Sequence, residues 1–258
     1  MILLSLLAVV LLTLCVAGFT VLSARRKAAA SGDADSDSQS FVGGVLNALF
    51  TVVLAFYIVF AWQNGDDIDK SSQQEANALT DTYWQASIAP APHSTAIQSL
   101  TAQYASRVAD HEWAALDRGD TDPEVDRLLN SLRSEVLALP VDNEAIKSSR
   151  EQSLQNIRQI DEGHRKRVDI ATDDQNFNIV LLAASFLGAA LMIAFPLLIG
   201  LSMRPANVAA MVLLTLTLGF TAYMSVELLH PLHGPFAVDP DPFRTALAGF
   251  DSTSHAGT

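Results

Sequence analysis

Apolar residues are concentrated in four blocks, and the residues between the second and third blocks are polar. The blocks cover residues 1–23, 41–62, 179–201 and 208–229. Each is long enough to form a helix of about 20 residues, which is what crossing a hydrocarbon core of about 30 Å requires. The pattern therefore predicts four transmembrane helices. Because only Ser202–Asn207 separates the last two, they are expected to form an antiparallel hairpin.

The first block has an alternative interpretation, a cleaved signal peptide. Signal peptides begin with basic residues and carry a shorter apolar run before a cleavage site with small residues. No basic residue precedes the run at 1–23, and the run is long, so an uncleaved membrane anchor is favoured. Its single cysteine, Cys15, lies mid-block and is interpreted as a small apolar residue rather than a lipidation site.

Residues 24–40 are predicted to form a flexible acidic loop, because small and acidic residues follow one another there without an apolar period. The aspartates from Asp33 onward resemble the start of a calcium-binding loop. That pattern needs glycine at its sixth position and glutamate at its twelfth, where Ser38 and Gly44 stand. No calcium site is predicted.

Residues 63–175 are predicted to form a hydrophilic helical domain inserted between the second and third spans. A helix is expected over Glu75–Ile88, ended by prolines at 90 and 92, and Thr95 with Gln98 has the spacing of a capping box. Asp122 followed by proline predicts another helix start. Apolar residues recur at three-four spacing, which indicates helical core faces. They are Ile97, Leu100, Tyr104, Val108, Trp113 and Leu116; Val125, Leu128, Leu129, Leu132 and Val136; and Ile146, Leu154, Ile157 and Ile160.

The last of these helices is expected from about Asn143 through Arg167, and residues 230–258 are left as a C-terminal segment. No segment alternates apolar and polar residues as a strand would. Trp84 and Trp113 are interpreted as packed aromatics rather than a ligand cage. The predicted fold class is an all-α membrane protein with four transmembrane helices and a helical extramembrane domain between the second and third.

The net charge of −12 is concentrated in the middle domain. Residues 63–175 hold 11 basic and 21 acidic side chains, so 11 − 21 = −10 of the charge lies there. An acidic surface repels phosphate backbones, which argues against nucleic acid as a partner. Basic residues after the first span and Arg204 place the domain outside by the positive-inside rule, whereas Arg165–Arg167 favour the opposite side. The side of the membrane stays open.

No motif for an enzyme, a metal or a cofactor is found in the sequence. There is no GxSxG, no GxxxxGK[ST], no GxGxxG and no HExxH. His111 and Glu112 are adjacent and so face different sides of a helix. His164 lies in a basic run and is expected to be solvated, and the His230–His233 segment has no third ligand in a fixed position. The chain is predicted not to be an enzyme and to need no cofactor.

The second span offers a candidate pore face. It carries no charge, and Ala48, Val52 and Phe56 follow one another at intervals of four residues, so they lie on one face of the helix. Such a face can pack against neighbours or line a narrow hydrophobic constriction. Packing is the default interpretation from the spacing alone.

Several segments resemble the bacterial bestrophin-like membrane proteins of unknown function, which are related to bestrophin channels. They are Leu54–Tyr57 (LAFY), Glu75–Leu79 (EANAL) with Tyr83, Tyr104 with Val108 and Glu112-Trp113, and Glu227–Phe236 with Pro242-Phe243. The resemblance implies a homo-oligomer, pentameric in bestrophins, whose second spans surround an ion pathway. By motif, the neck residues would be Ala48, Val52 and Phe56.

The chain departs from the resemblance in places that bear on selectivity. Asp66, Asp67 and Asp69 stand where relatives often carry arginines, His230 replaces an acidic residue, and two of the three neck positions lack the phenylalanine of bestrophins. We therefore expect a multi-pass cell-membrane channel for inorganic ions that is cation-favouring or weakly selective. The alternative is a non-conducting scaffold or accessory subunit that binds another protein through its helical domain.

Overall fold

The computed structural model describes residues 36–172, 176–198, 205–228, 230–234 and 236–254. Every regular element among these residues is helical, in agreement with the predicted all-α class. The elements are α1 (Ser36–Gln85) with a 3₁₀ turn (Ala86–Ile88), α2 (His93–Arg107), a π-turn (Val108–Glu112), α3 (Trp113–Leu116), α4 (Pro123–Leu137), α5 (Glu144–Thr172), α6 (Asn176–Leu198), α7 (Pro205–Glu227) and α8 (Asp241–Ser254).

The described residues divide into two compact units. The apolar unit contains 36–62, α6 and α7, and the helical domain contains 63–172 and the residues described from 230 to 254. Helix α1 contributes to both units. The first predicted span, 1–23, lies outside the described residues.

Helix α1 runs without interruption for 50 residues, from Ser36 to Gln85. The sequence predicts a span ending at residue 62 and a separate helix from Glu75, and this boundary is wrong. Polarity changes at residue 62, but no proline follows until Pro90, and one glycine, Gly65, does not stop a helix. Ser36–Ser40 is also helical rather than part of the predicted acidic loop, whose remaining residues are outside the described range.

The apolar helices leave most of their apolar surface uncovered. Among the described residues, two helices contain an apolar window long enough to cross a membrane. They are Gly43–Ile88 and Pro205–Glu227, and Val180–Pro196 is a shorter apolar helix. Only 11% of the apolar window is buried in either of the two longer helices. Soluble proteins rarely expose contiguous apolar patches of this kind, so these helices are suited to lipid or to further protein chains.

The helical domain has one apolar core, formed by the faces that the three-four spacing predicts. Ile97, Tyr104, Val125, Leu132 and Ile160 are all buried in it, which confirms those faces. Asp122 is confirmed as an N-cap, because its Oδ1 accepts a hydrogen bond from the Glu124 backbone N–H at 3.1 Å. The predicted cap at Thr95 is wrong. Helix α2 already begins at His93, and Gln98 donates to the Tyr83 carbonyl oxygen instead.

The chain returns after α7 to complete this core, which the sequence does not predict. Phe243 and Phe250 of α8 are buried in the domain, and Phe250 stacks on Tyr83 with ring centroids 4.1 Å apart. The Trp113 indole N–H donates to the Val238 carbonyl oxygen at 3.0 Å. Trp113 is thus a packed aromatic, as predicted, whereas Trp84 is 44% exposed and makes an edge-to-face contact with Tyr83.

Candidate functional site

One face of α1 packs against α6 and α7. The ring of Phe195 on α6 occupies the space beside Gly43, where a Cβ would lie 2.6 Å from the ring, and Phe50 occupies the space beside Gly188 of α6 in the same way. The Tyr57 hydroxyl donates to the Ser225 carbonyl oxygen of α7. Close approach at small residues is how apolar helices pack when water does not drive them together.

The candidate pore residues lie on the opposite face of α1. Val52 is two residues from Phe50, which places their side chains about 160° apart at about 100° per residue. Val52 is 52% exposed and Phe56 is 58% exposed, and Ala48 is exposed as well. The structure thus brings the three predicted neck residues to one open apolar face.

The helical domain contains a second candidate site, a cluster of charged side chains buried in its core. The Arg167 guanidinium is fully buried and binds Glu75 through both terminal nitrogens, with Nη2 3.3 Å from Oε1. Nη2 also donates to Glu112 Oε2 at 2.7 Å, and the Tyr104 hydroxyl donates to Glu75 Oε1 at 2.7 Å. His164 completes the cluster, with Nδ1 3.1 Å from Glu112 Oε1. These five residues form the charge cluster of the helical domain.

Two neighbouring aromatic rings pack against the buried guanidinium. The Arg167 Cζ lies 5.5 Å from the ring centroid of Trp113 and 5.1 Å from that of Phe243. A planar guanidinium can stack on rings while its edge binds carboxylates, a combination that the lysine ammonium does not offer. The cluster therefore joins α1, α2, the π-turn and α5 to the C-terminal segment.

Two local features place the carboxylates of the cluster. A Cβ at Gly163 would lie 3.0 Å from the Glu75 Cβ, so the missing side chain at Gly163 lets α5 approach α1 at that residue.

The π-turn holds one extra residue per turn, and it is closed by the Trp113 N–H donating to the Val108 carbonyl oxygen. Both Glu112 and Trp113 face the core as a result, while His111 is exposed, in agreement with the prediction that His111 and Glu112 face different sides.

The charge cluster perturbs the pKa values of its members. Burial raises the pKa of Glu75, and it does so more strongly than Arg167 and Tyr104 lower it. Burial also raises the pKa of Glu112, but His164 and Arg167 outweigh that effect and the net pKa is lowered. The pKa of His164 is raised, because Glu112 outweighs the opposing effect of burial. Perturbed pKa values of this kind mark candidate functional groups, although structural ion pairs produce them as well.

The expectation that His164 is solvated is wrong, and Arg167 in the same basic run is not a free surface charge. Both side chains are buried. A signal for this was present in the sequence. Together with Ile160 and Gly163 they follow the spacing i, i+3, i+4, i+7, which defines one helix face. The residues Arg165 and Lys166 between them point outward and pair with Asp161 and Asp67.

The family model of the Bestrophin-like domain matches residues 8–243. The chain therefore belongs to the bestrophin-like family, as the sequence resemblance predicts. No curated protein and no solved structure matches the chain at a significant level. The family, together with the exposed apolar helices, is consistent with a membrane protein and suggests a function of the ion-channel kind.

Proposed function

We propose that the chain is a multi-pass membrane protein that forms a homo-oligomeric ion channel, with copies of α1 surrounding a shared pathway. In this assembly the four apolar blocks, including 1–23, span the bilayer, and the helical domain lies outside it. The observation that carries the proposal is the division of α1 into two faces. One face is occupied by the chain's own α6 and α7, and the other, with Ala48, Val52 and Phe56, is apolar and open.

The proposed pathway is a narrow apolar neck at these three residues. Small and aromatic side chains around a common axis form a constriction that conducts when it is wetted and closes when it dries. A neck of this kind needs several copies of α1, because one copy provides only one wall. The pentamer implied by the family resemblance would meet that need.

The charge of the domain favours cations in this proposal. Residues 63–175 carry a net charge of −10 per chain, and a ring of chains multiplies it. A mouth lined by one sign of charge concentrates ions of the opposite sign and depletes ions of the same sign. Asp66, Asp67 and Asp69 lie on α1 just beyond the apolar unit, although Lys70 and Lys166 pair with the first two. We therefore propose a cation-favouring or weakly selective pathway.

The test is reconstitution of the purified full chain into vesicles of neutral lipid, with the reversal potential measured across a potassium chloride gradient. The proposal expects a current above that of protein-free vesicles and a potential shifted toward the potassium equilibrium value. A potential near the chloride value would overturn the cation preference. No current, combined with a detergent-solubilised particle of monomer or dimer mass, would overturn the channel and favour a scaffold.

A further inference from the structure

His164 lies between two carboxylates that belong to different elements. Its Nδ1 is 3.1 Å from Glu112 Oε1 on the π-turn, and its Nε2 is 3.4 Å from Asp126 Oδ1 on α4. The histidine side chain is only 7% exposed and Glu112 is fully buried, so water cannot readily take the place of Glu112. The imidazole thus connects α5 to two neighbouring elements at once.

The number of protons on the ring decides how many of these contacts are favourable. A neutral imidazole has one N–H donor, whereas the imidazolium has two. The Glu112 contact does not have hydrogen-bond alignment, so the interaction with the carboxylates is mainly one of charge, and only the protonated ring carries a charge that attracts both. In the neutral form one ring nitrogen is an acceptor, and it faces a carboxylate oxygen that is also an acceptor. Losing the proton therefore replaces one attractive contact by a repulsive one.

The charges around the ring also favour the protonated form of His164. Three carboxylates face it from three elements, Glu75 on α1, Glu112 on the π-turn and Asp126 on α4, and the one cation in the charge cluster is Arg167 on α5 itself. Among the buried members, the negative charges of Glu75 and Glu112 are balanced only by the positive charge of Arg167 unless His164 is protonated. An unbalanced charge in a protein interior is costly, so the buried group is balanced when it holds one additional proton, and the carboxylates beside both ring nitrogens favour His164 as the residue that holds it.

We propose that His164 is a proton-operated latch of the helical domain, which holds α5 to α4 and the π-turn when it is protonated and leaves α4 held less firmly, by its apolar core contacts, when it is not. The latch is independent of whether the chain conducts, because it is a property of contacts within the domain. It gives the domain two states that differ in how firmly α4 is held.

The direction of the pH dependence follows from the effect of the neighbours on the ring. The pKa of His164 in the folded chain is raised above the ordinary value of 6.5. A group whose pKa is raised by folding contributes stability that is fully present below the unfolded-state pKa. That contribution is lost as the pH rises through the folded-state pKa. The latch is therefore closed on the acidic side and open on the alkaline side.

The test is hydrogen exchange of the full chain in detergent micelles, followed for peptides of α4 between about pH 5.5 and about pH 8.5, where histidine changes charge. After correction for the intrinsic exchange rate, the wild type should exchange several-fold more slowly in α4 at the acidic end. His164→Gln should abolish this difference, since glutamine cannot gain a charge. His111→Gln removes an exposed imidazole from the neighbouring turn and should leave the difference intact.

A second variant tests the latch without disturbing the core. Asp126→Asn changes a carboxylate that is 66% exposed, so the domain should keep its fold. Removing one of the carboxylates that favour the charged ring should move the midpoint of the pH transition to lower pH. Two results would overturn the proposal. One is wild-type protection of α4 that does not change with pH, and the other is a pH transition that persists in His164→Gln, whether or not the overall protection of that variant is lower.

Discussion

Gly163 on α5 leaves the space that the Glu75 side chain of α1 occupies: a Cβ at Gly163 would lie 3.0 Å from the Glu75 Cβ and 3.1 Å from its Oε2. The Ser71 carbonyl oxygen is equally close, at 3.1 Å. A methyl group there would push α5 away from α1 and lengthen the contacts between Arg167 and Glu75. The glycine is thus required by the approach of two helices rather than by a turn.

Gly163→Ala should lower the free energy of unfolding by about 1–3 kcal/mol, the usual range for overpacking a core. Tryptophan fluorescence during denaturant titration of the detergent-solubilised chain would measure it. The matched control is Gly249→Ala in α8, where a Cβ meets nothing within 4 Å. Alanine there should stabilise the helix by up to about 1 kcal/mol. Equal effects at the two positions would contradict the close approach.

Arg167→Met should destabilise the domain by about 3–5 kcal/mol, because it leaves Glu75 and Glu112 buried without their cation. The matched control is Arg165→Met on the same helix, where the side chain is exposed and pairs with Asp161 at 3.1 Å. Surface pairs contribute about 0–1 kcal/mol, so the control should change little. The same denaturant titration compares the two variants, and a loss below about 1 kcal/mol for Arg167→Met would show that the pair is not buried.

Phe243→Ala should cost about 3–5 kcal/mol, since it removes a fully buried ring that also covers the Arg167 guanidinium. Phe236→Ala, in the same C-terminal segment, removes a half-exposed ring and should have a much smaller effect. Limited proteolysis would show the difference directly, with α8 cleaved early in the first variant only. Early cleavage in both variants would mean that α8 is not anchored through Phe243.

Val52→Thr should increase ion flux in reconstituted vesicles, because a hydroxyl makes an apolar constriction easier to wet. Ile58→Thr is the control on the same helix, since six residues along α1 the side chain points about 120° away from Val52. Both positions are partly exposed in the single chain, so neither change disturbs the packing against α6 and α7. An equal increase in the two variants would remove Val52 from the neck.

The core faces of the helical domain could be predicted because apolar side chains at three-four spacing have to be buried. Arg167 was not predicted, since a charged side chain is buried only with partners, and its partners Glu75 and Glu112 are 92 and 55 residues away in the chain. Only the tertiary fold brings them together. The continuation of α1 beyond residue 62 could not be predicted for a different reason. A change from apolar to polar residues marks a change of surroundings, and it does not end a helix unless a proline or a capping residue stands there.

Because α8 contributes to the core of the helical domain, the domain cannot be completed until the C-terminal segment has been synthesised. Translation produces the helical domain before the last two apolar helices, but the rings of Phe243 and Phe250 that fill its core are produced after them. Until those residues are synthesised, Trp113 lacks its contact with Phe243, and Tyr83 lacks the stacked ring of Phe250. Domains usually mature as soon as their own residues have emerged. Here the domain can complete its core only after the two apolar helices that interrupt it have been synthesised.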